Sequence, residues 1–125
     1  MKKLPKLSTV RNKCDALLTP IVKGMNPYCL LCKVNKTEVA HHHKHKSSST
    51  RLRYELTNLI NLCNSCHFAL HQNESYYASK IVEINGIEWF KKLDRLGTEI
   101  VKADVHWYMA QYERLKKILG ENTLA

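Results

Sequence analysis

Two stretches decide how this chain folds: Val39-Ala40-His41-His42-His43, and Asn58-Leu59-Ile60-Asn61-Leu62-Cys63-Asn64-Ser65-Cys66-His67. The first is a short apolar run that ends in a histidine cluster. The second is an apolar run that passes directly into Cys-x-x-Cys-His. Residues 38–43 read as a strand and residues 59–62 as a second. The polar run from Lys44 to Arg51, with its three consecutive serines, forms the loop between them. Residues 64–72 follow as a helix whose first turn contains Cys66 and His67. The spacing therefore predicts a hairpin and then a helix.

Upstream, Cys29-Leu30-Leu31-Cys32 matches the Cys63-x-x-Cys66 pair. Thiolates at this spacing grip one side of a tetrahedral Zn²⁺, and two such pairs close the shell as a structural site. A redox dithiol would explain one pair but not both. Zinc here clamps the segment before the hairpin to the start of the helix, so metal binding contributes to folding. Cys14 lies outside the pattern and reads as a buried apolar residue.

Around this centre the chain reads as helical. Val10, Cys14, Leu17, Leu18 and Ile21 recur at helical spacing and predict a helix over residues 8–23, with a break before Pro20. Gly24-Met25-Asn26-Pro27 marks a loop. Three helical stretches follow the centre, at residues 74–84, 87–96 and 103–119. Asn85-Gly86 and Gly97 supply their stops. In the last, Val105, Tyr108, Tyr112, Leu115 and Leu119 form a stripe that serves as a homodimer seam or as the face packed on its own domain. The expected class is α+β and mostly helical. An N-terminal helical arm (1–27), a metal-bearing core (28–73) and a C-terminal helical extension (74–125) together form one compact unit.

The chain is 44% hydrophobic and 25% charged, which favours a folded protein over a disordered one. No apolar run reaches the ~18 residues of a membrane span, and the basic start Met1-Lys2-Lys3 leads into no signal-peptide core. A cytoplasmic setting is expected, where a Cys-x-x-Cys pair binds metal rather than forming a disulfide. The net charge of +9 is uneven. Residues 1–53 carry twelve Lys/Arg against two Asp/Glu, while residues 54–125 carry eight against nine. The basic half holds the histidine cluster and implies a polyanionic partner, a solvated basic face being the plainer alternative.

Cleaving a phosphodiester at neutral pH needs an activated water, a sink for the transition-state charge and a stabilised leaving oxygen. One cation and one neutral imidazole can supply all three. Neighbouring histidines on a strand point to opposite sides, so one can hold the ion while the next faces the water.

The run Ala40-His41-His42-His43-Lys44, then Leu52-Arg53-Tyr54-Glu55-Leu56-Thr57-Asn58, then Leu62-Cys63-Asn64-Ser65-Cys66-His67, resembles phage-type HNH (ββα-metal) endonucleases. The resemblance implies a ββα-metal core in which His41 and His67 ligate the catalytic ion and His42 is the general base. Asn58, the middle letter of the motif, would brace the strand that carries His42. His71, one helical turn beyond His67, is the candidate third ligand. His43 departs from the family, which has an apolar residue there, and leaves a second register open with His42 as ligand and His43 as base. Asn61 is the weaker candidate for the Asn role. Imidazole ligands suit Mn²⁺, Ni²⁺, Co²⁺ or Zn²⁺ better than Mg²⁺, which prefers oxygen. The family leaves 5′-phosphate and 3′-hydroxyl ends.

Lys44, Lys46, Arg51 and Arg53 are the expected phosphate contacts on DNA, and His45 faces solvent or phosphate. The leading Lys13-Cys14-Asp15-Ala16-Leu17-Leu18 and, downstream, Tyr77, Ile84-Asn85-Gly86 and Trp89 to Leu93 resemble, more loosely, phage recombination endonucleases of the NinG/Rap type. That likeness implies branched DNA as substrate, although that family ends its motif in Asn where this chain has His67. The rival readings are a non-catalytic zinc-ribbon DNA-binding module, a homing or packaging-associated HNH nicking nuclease, and a protein adaptor using the Tyr-rich last helix.

Overall fold

The structure, a computed structural model, describes residues 3–124, with side chains described to Glu121. In chain order the elements are α1 (Leu7–Met25), β1 (Val39–His42), a single 3₁₀ turn (Leu56–Asn58), β2 (Leu59–Leu62), α2 (Asn64–Gln72), α3 (Glu74–Asn85), α4 (Ile87–Gly97) and α5 (Val105–Leu124). The class is α+β and mostly helical.

α1 does not break at Pro20. A proline inside a helix costs ~3 kcal/mol through its missing N–H and its ring. Directly beyond it, Ile21 and Val22 are buried with Val10, Cys14 and Leu18. Burying two such aliphatic side chains contributes about 3–6 kcal/mol, enough to carry the helix past an exposed proline. Pro20 itself faces solvent.

β1 and β2 pair antiparallel in the register Val39↔Leu62, Ala40↔Asn61, His41↔Ile60 and His42↔Leu59. Directly opposed residues share a face and successive residues alternate. His41 and Ile60 therefore face one side of the hairpin, His42 and Leu59 the other. This two-sidedness organises the molecule. One core cluster gathers Leu59 with Val10, Cys14, Leu18 and Ile21 of α1, Tyr54, and Tyr108 and Leu115 of α5. The other gathers Ile60 and Leu62 with Cys29, Cys63, Leu70 of α2 and Ile81 of α3.

The stripe on α5 packs in the first cluster: Tyr108 and Leu115 are buried, and Val105, Tyr112 and Leu119 lie partly buried against it. α5 begins two residues later than its apolar spacing suggests because Asp104 caps it, its Oδ1 accepting the Trp107 N–H at 2.9 Å. The first and last helices thus meet in space, although the hairpin and the two Cys-x-x-Cys pairs separate them in sequence. Gly86, at φ +96°, turns the chain between α3 and α4. Gly97 ends α4 where an added Cβ would come within 3.2 Å of Leu52 Cδ1. Among the described residues no helix is long and apolar enough to cross a membrane.

Candidate metal centre and active site

The four cysteines of the two Cys-x-x-Cys pairs converge, with all four sulfurs within 4.8 Å of one another. Cys32 Sγ and Cys63 Sγ are 3.9 Å apart. A tetrahedron with Zn–S of ~2.3 Å has S···S edges of roughly 3.8 Å, so the donor set fits a tetrahedral ion such as zinc. Local backbone geometry builds each knuckle. Lys33 takes a left-handed conformation (φ 62°) and donates its N–H to the Cys29 carbonyl at 2.9 Å. The Asn35 N–H points at Cys32 Sγ and the Cys66 N–H at Cys63 Sγ, each at 3.4 Å. The N–H groups of Asn35 and Val34 pull the Cys32 thiol down to about 6, whereas burial pushes the Cys66 thiol up. Asn61 ties the first knuckle to β2: its Nδ2 donates to the Tyr28 carbonyl at 2.7 Å, and its own carbonyl accepts the Leu30 N–H at 2.8 Å.

A second group of possible ligands lies on the α2 side of the hairpin. The His41 ring from β1 stands 5.2 Å from that of His67 and 6.1 Å from that of His71, and the two α2 rings are 4.4 Å apart. His67 Nε2 and His71 Nε2 approach to 3.0 Å. Positions four apart on a helix share a face, so α2 presents two imidazoles together and β1 adds the third. Burial first, then the neighbouring His67 and His71, pushes His41 down to about 3. Burial and His71 likewise lower His67. Neutral imidazoles are the form that binds metal.

Asn58 is fully buried and spans the loop that leaves β1. Its Oδ1 accepts the Lys44 N–H at 2.8 Å, and its Nδ2 donates to the carbonyls of Lys44 (3.0 Å) and Leu52 (3.3 Å). Its own carbonyl accepts the His43 N–H at 2.9 Å. His42 faces the α1 side and donates its Nε2–H to the Arg53 carbonyl at 2.9 Å. A carbonyl can only accept, so this bond fixes the tautomer and leaves Nδ1 with its lone pair. His43 packs its ring against Trp89 (4.9 Å) and Phe90 (5.9 Å), where burial pushes it down to about 4.

The expected phosphate contacts fare differently from one another. Lys44 pairs with Asp94 and lies over the Phe90 ring. Arg51 pairs with Glu55 and Glu99. Arg53 makes a two-pronged pair with Asp15, at 3.0 and 2.6 Å. Lys46 is exposed, with no ion pair among the described residues, while His45 meets Glu74.

Asp15 is the residue that reading the sequence for chemistry missed. It lies on α1 and receives Tyr54 Oη–H at 2.7 Å as well as Arg53. Burial opposes its ionisation, but those hydrogen bonds outweigh burial and hold the carboxyl below its usual range. The signal was present: it is one of only two acids in the first 53 residues. Comparison with protein-family models, curated proteins and solved structures returns no match for this chain.

Proposed function

We propose that this protein is a metal-dependent endonuclease of the HNH type that hydrolyses phosphodiester bonds in DNA, with a structural zinc held by Cys29, Cys32, Cys63 and Cys66. The observation that carries the reading is the meeting of His41, from the hairpin, with His67 and His71, from the following helix. Histidines drawn from two elements into one cluster, apart from the four gathered thiols, support a reading with a second metal site distinct from the cysteines. The geometry also favours one register over the other, because His41 faces α2 and His42 faces α1.

A divalent cation on His41, His67 and His71 would neutralise charge accumulating on the scissile phosphate. In this reading His42 is the base, and the bond from its Nε2–H to the Arg53 carbonyl leaves Nδ1 as the atom that would take the proton of the attacking water. Asn58 holds the chain that leaves β1, and so the direction of the His42 ring, by closing the loop over residues 43–58. Asp15 contributes at one remove by anchoring the Arg53 side chain whose backbone orients His42. The products would be 5′-phosphate and 3′-hydroxyl ends, and the looser likeness to recombination endonucleases makes branched DNA the first substrate to try.

The test is nicking of supercoiled plasmid with Mn²⁺ against EDTA, followed by four-way junction, flap and linear duplex. We expect cation-dependent nicking that falls by at least ~100-fold in His42→Ala, the usual scale for removing a general base, with zinc content unchanged. A His42→Ala protein that keeps its zinc and cuts at the wild-type rate refutes that role. A zinc-loaded protein that binds DNA but does not nick it under any added cation leaves the zinc-ribbon reading in place.

A further inference from the structure

On the flank of α2 away from its imidazoles, the surface is neither core nor ordinary solvent-facing helix. Phe68 is 68% exposed and Tyr76 is 50% exposed. Phe68 and Tyr76 border one hollow of about 430 Å³, and Tyr76 with Tyr77 continues into a second of about 500 Å³ that reaches Ile84 and the zinc knuckle at Leu31. Tyr76 and Tyr77 stand edge to face at 5.0 Å, so the Tyr76 ring is steadied by a neighbour rather than swinging freely. Lys80 Nζ lies 5.6 Å from the Tyr76 ring centroid, and Lys33 lines the same hollow from the knuckle. Glu83 is its one acid. Neither lysine has an ion pair among the described residues, unlike Lys44, Arg51 and Arg53 near the histidines.

Exposed rings gathered along a groove, unlike single exposed apolar side chains, mark a surface that a partner covers. The cover must have flat apolar faces to meet Phe68 and Tyr76, and negative charge at intervals to meet Lys33 and Lys80. A duplex keeps its base faces stacked inside and offers only the charge. An apolar protein face offers only the contact. An unpaired nucleic-acid strand offers both. We propose that this groove binds an unpaired DNA strand, its bases stacking on Phe68 and Tyr76 and its phosphates meeting Lys33 and Lys80. The choice of DNA rests on the endonuclease reading above. Successive helix positions are about 100° apart, so Phe68 and Gln72 lie a quarter-turn round α2 from His67 and His71. A strand running over that shoulder from the groove would reach the imidazole side of α2.

The test is fluorescence anisotropy with the full zinc-loaded chain and no added divalent cation, comparing labelled single-stranded oligo(dT), oligo(U) and a duplex of equal length. The single DNA strand should bind most tightly. Phe68→Ala and Tyr76→Ala should each weaken it by roughly 5- to 150-fold, the range for losing one stacked base, and change duplex binding less than twofold. Tyr76→Trp should restore the affinity, which separates stacking from a folding defect. Lys33→Gln and Lys80→Gln should each flatten the log–log salt dependence by about 0.7. Unchanged strand affinity in both alanine variants overturns the proposal, as does equal loss on duplex, tighter binding of oligo(U), or self-association through these rings without strand binding. Cleavage is scored separately, as Mn²⁺-dependent nicking of plasmid by the wild-type protein. Ring-dependent strand binding without nicking under any cation would sink the endonuclease and spare the groove, whereas nicking without ring-dependent binding would do the reverse.

Discussion

Asn58 shows how much one side chain can hold. It satisfies one N–H and two carbonyls, all at least partly buried, across the loop between the strands. Alanine would leave all three without that partner, and each buried polar group left unpaired costs about 1–3 kcal/mol. We expect Asn58→Ala to lose about 3 kcal/mol of stability by urea unfolding; a loss under 1 kcal/mol would mean the loop is held elsewhere. Asn61→Ala should instead loosen the first knuckle, since its partner is Tyr28. Asp15 permits a prediction with a sign in pH. Its carboxyl titrates lower in the folded chain than in the unfolded one, so the stabilisation it gives is complete above the unfolded value of about 3.9. It is lost as pH falls through the lower, folded value. The stability gap between wild type and Asp15→Asn should therefore be constant from pH 8 to 5 and shrink below about pH 4. A gap that persists unchanged to pH 2 would mean the variant acts through packing. With the Arg53 side chain released, the same variant should also slow nicking at saturating DNA more than it raises KM.

At the scale of elements, what could be read from the sequence divides by the range of the forces involved. The hairpin strands, α2 from Asn64 to Gln72 and the turn at Gly86 follow from local pattern and appear where that pattern puts them. Cysteine spacing was legible for the same reason: a Cys-x-x-Cys fixes its own turn, and only the meeting of two pairs is non-local. Pro20 misled because a local rule was outweighed by Ile21 and Val22, whose burial depends on α5, about ninety positions away. The α5 stripe was visible, but its partner was not. No spacing within α5 distinguishes a second copy of the chain from α1. The basic residues misled in a similar way. Counting charges near the histidines selects Lys44, Arg51 and Arg53, yet their carboxylate partners come from Asp94, Glu99 and Asp15, on or beside other helices. Charge composition reports the sum of these groups, and tertiary pairing decides which of them remain available to a phosphate.

For the molecule as a whole, the question is whether the two core clusters unfold together. They meet at a sheet of only two strands, and such a hairpin is at best marginally stable alone. Leu59 serves one cluster while its neighbours Ile60 and Leu62 serve the other, so the strand that supports the cysteine cluster is pinned from behind by α1 and α5. Leu115, fully buried on α5, belongs to the cluster of α1 and α5 and not to the one that holds the cysteines. Leu115→Ala should cost about 2–5 kcal/mol and, for a chain of this length, lower the melting temperature on the order of 10 °C. If the halves are one cooperative unit, zinc release followed with a metallochromic dye should move down by the same interval as the helical circular dichroism. Zinc release that stays at the wild-type temperature while helicity is lost earlier would divide the molecule in two. The cysteine site, with the imidazoles beside it in the chain, would then stand independently of the α1–α5 pair. Zinc binding gives the prediction its force, because apparent free energies of about 10–16 kcal/mol for structural zinc equal or exceed the whole stability of a typical domain, about 5–15 kcal/mol. An ion bound that tightly leaves at the melting point of α5 only if its cysteines are brought together by the same transition that folds α5.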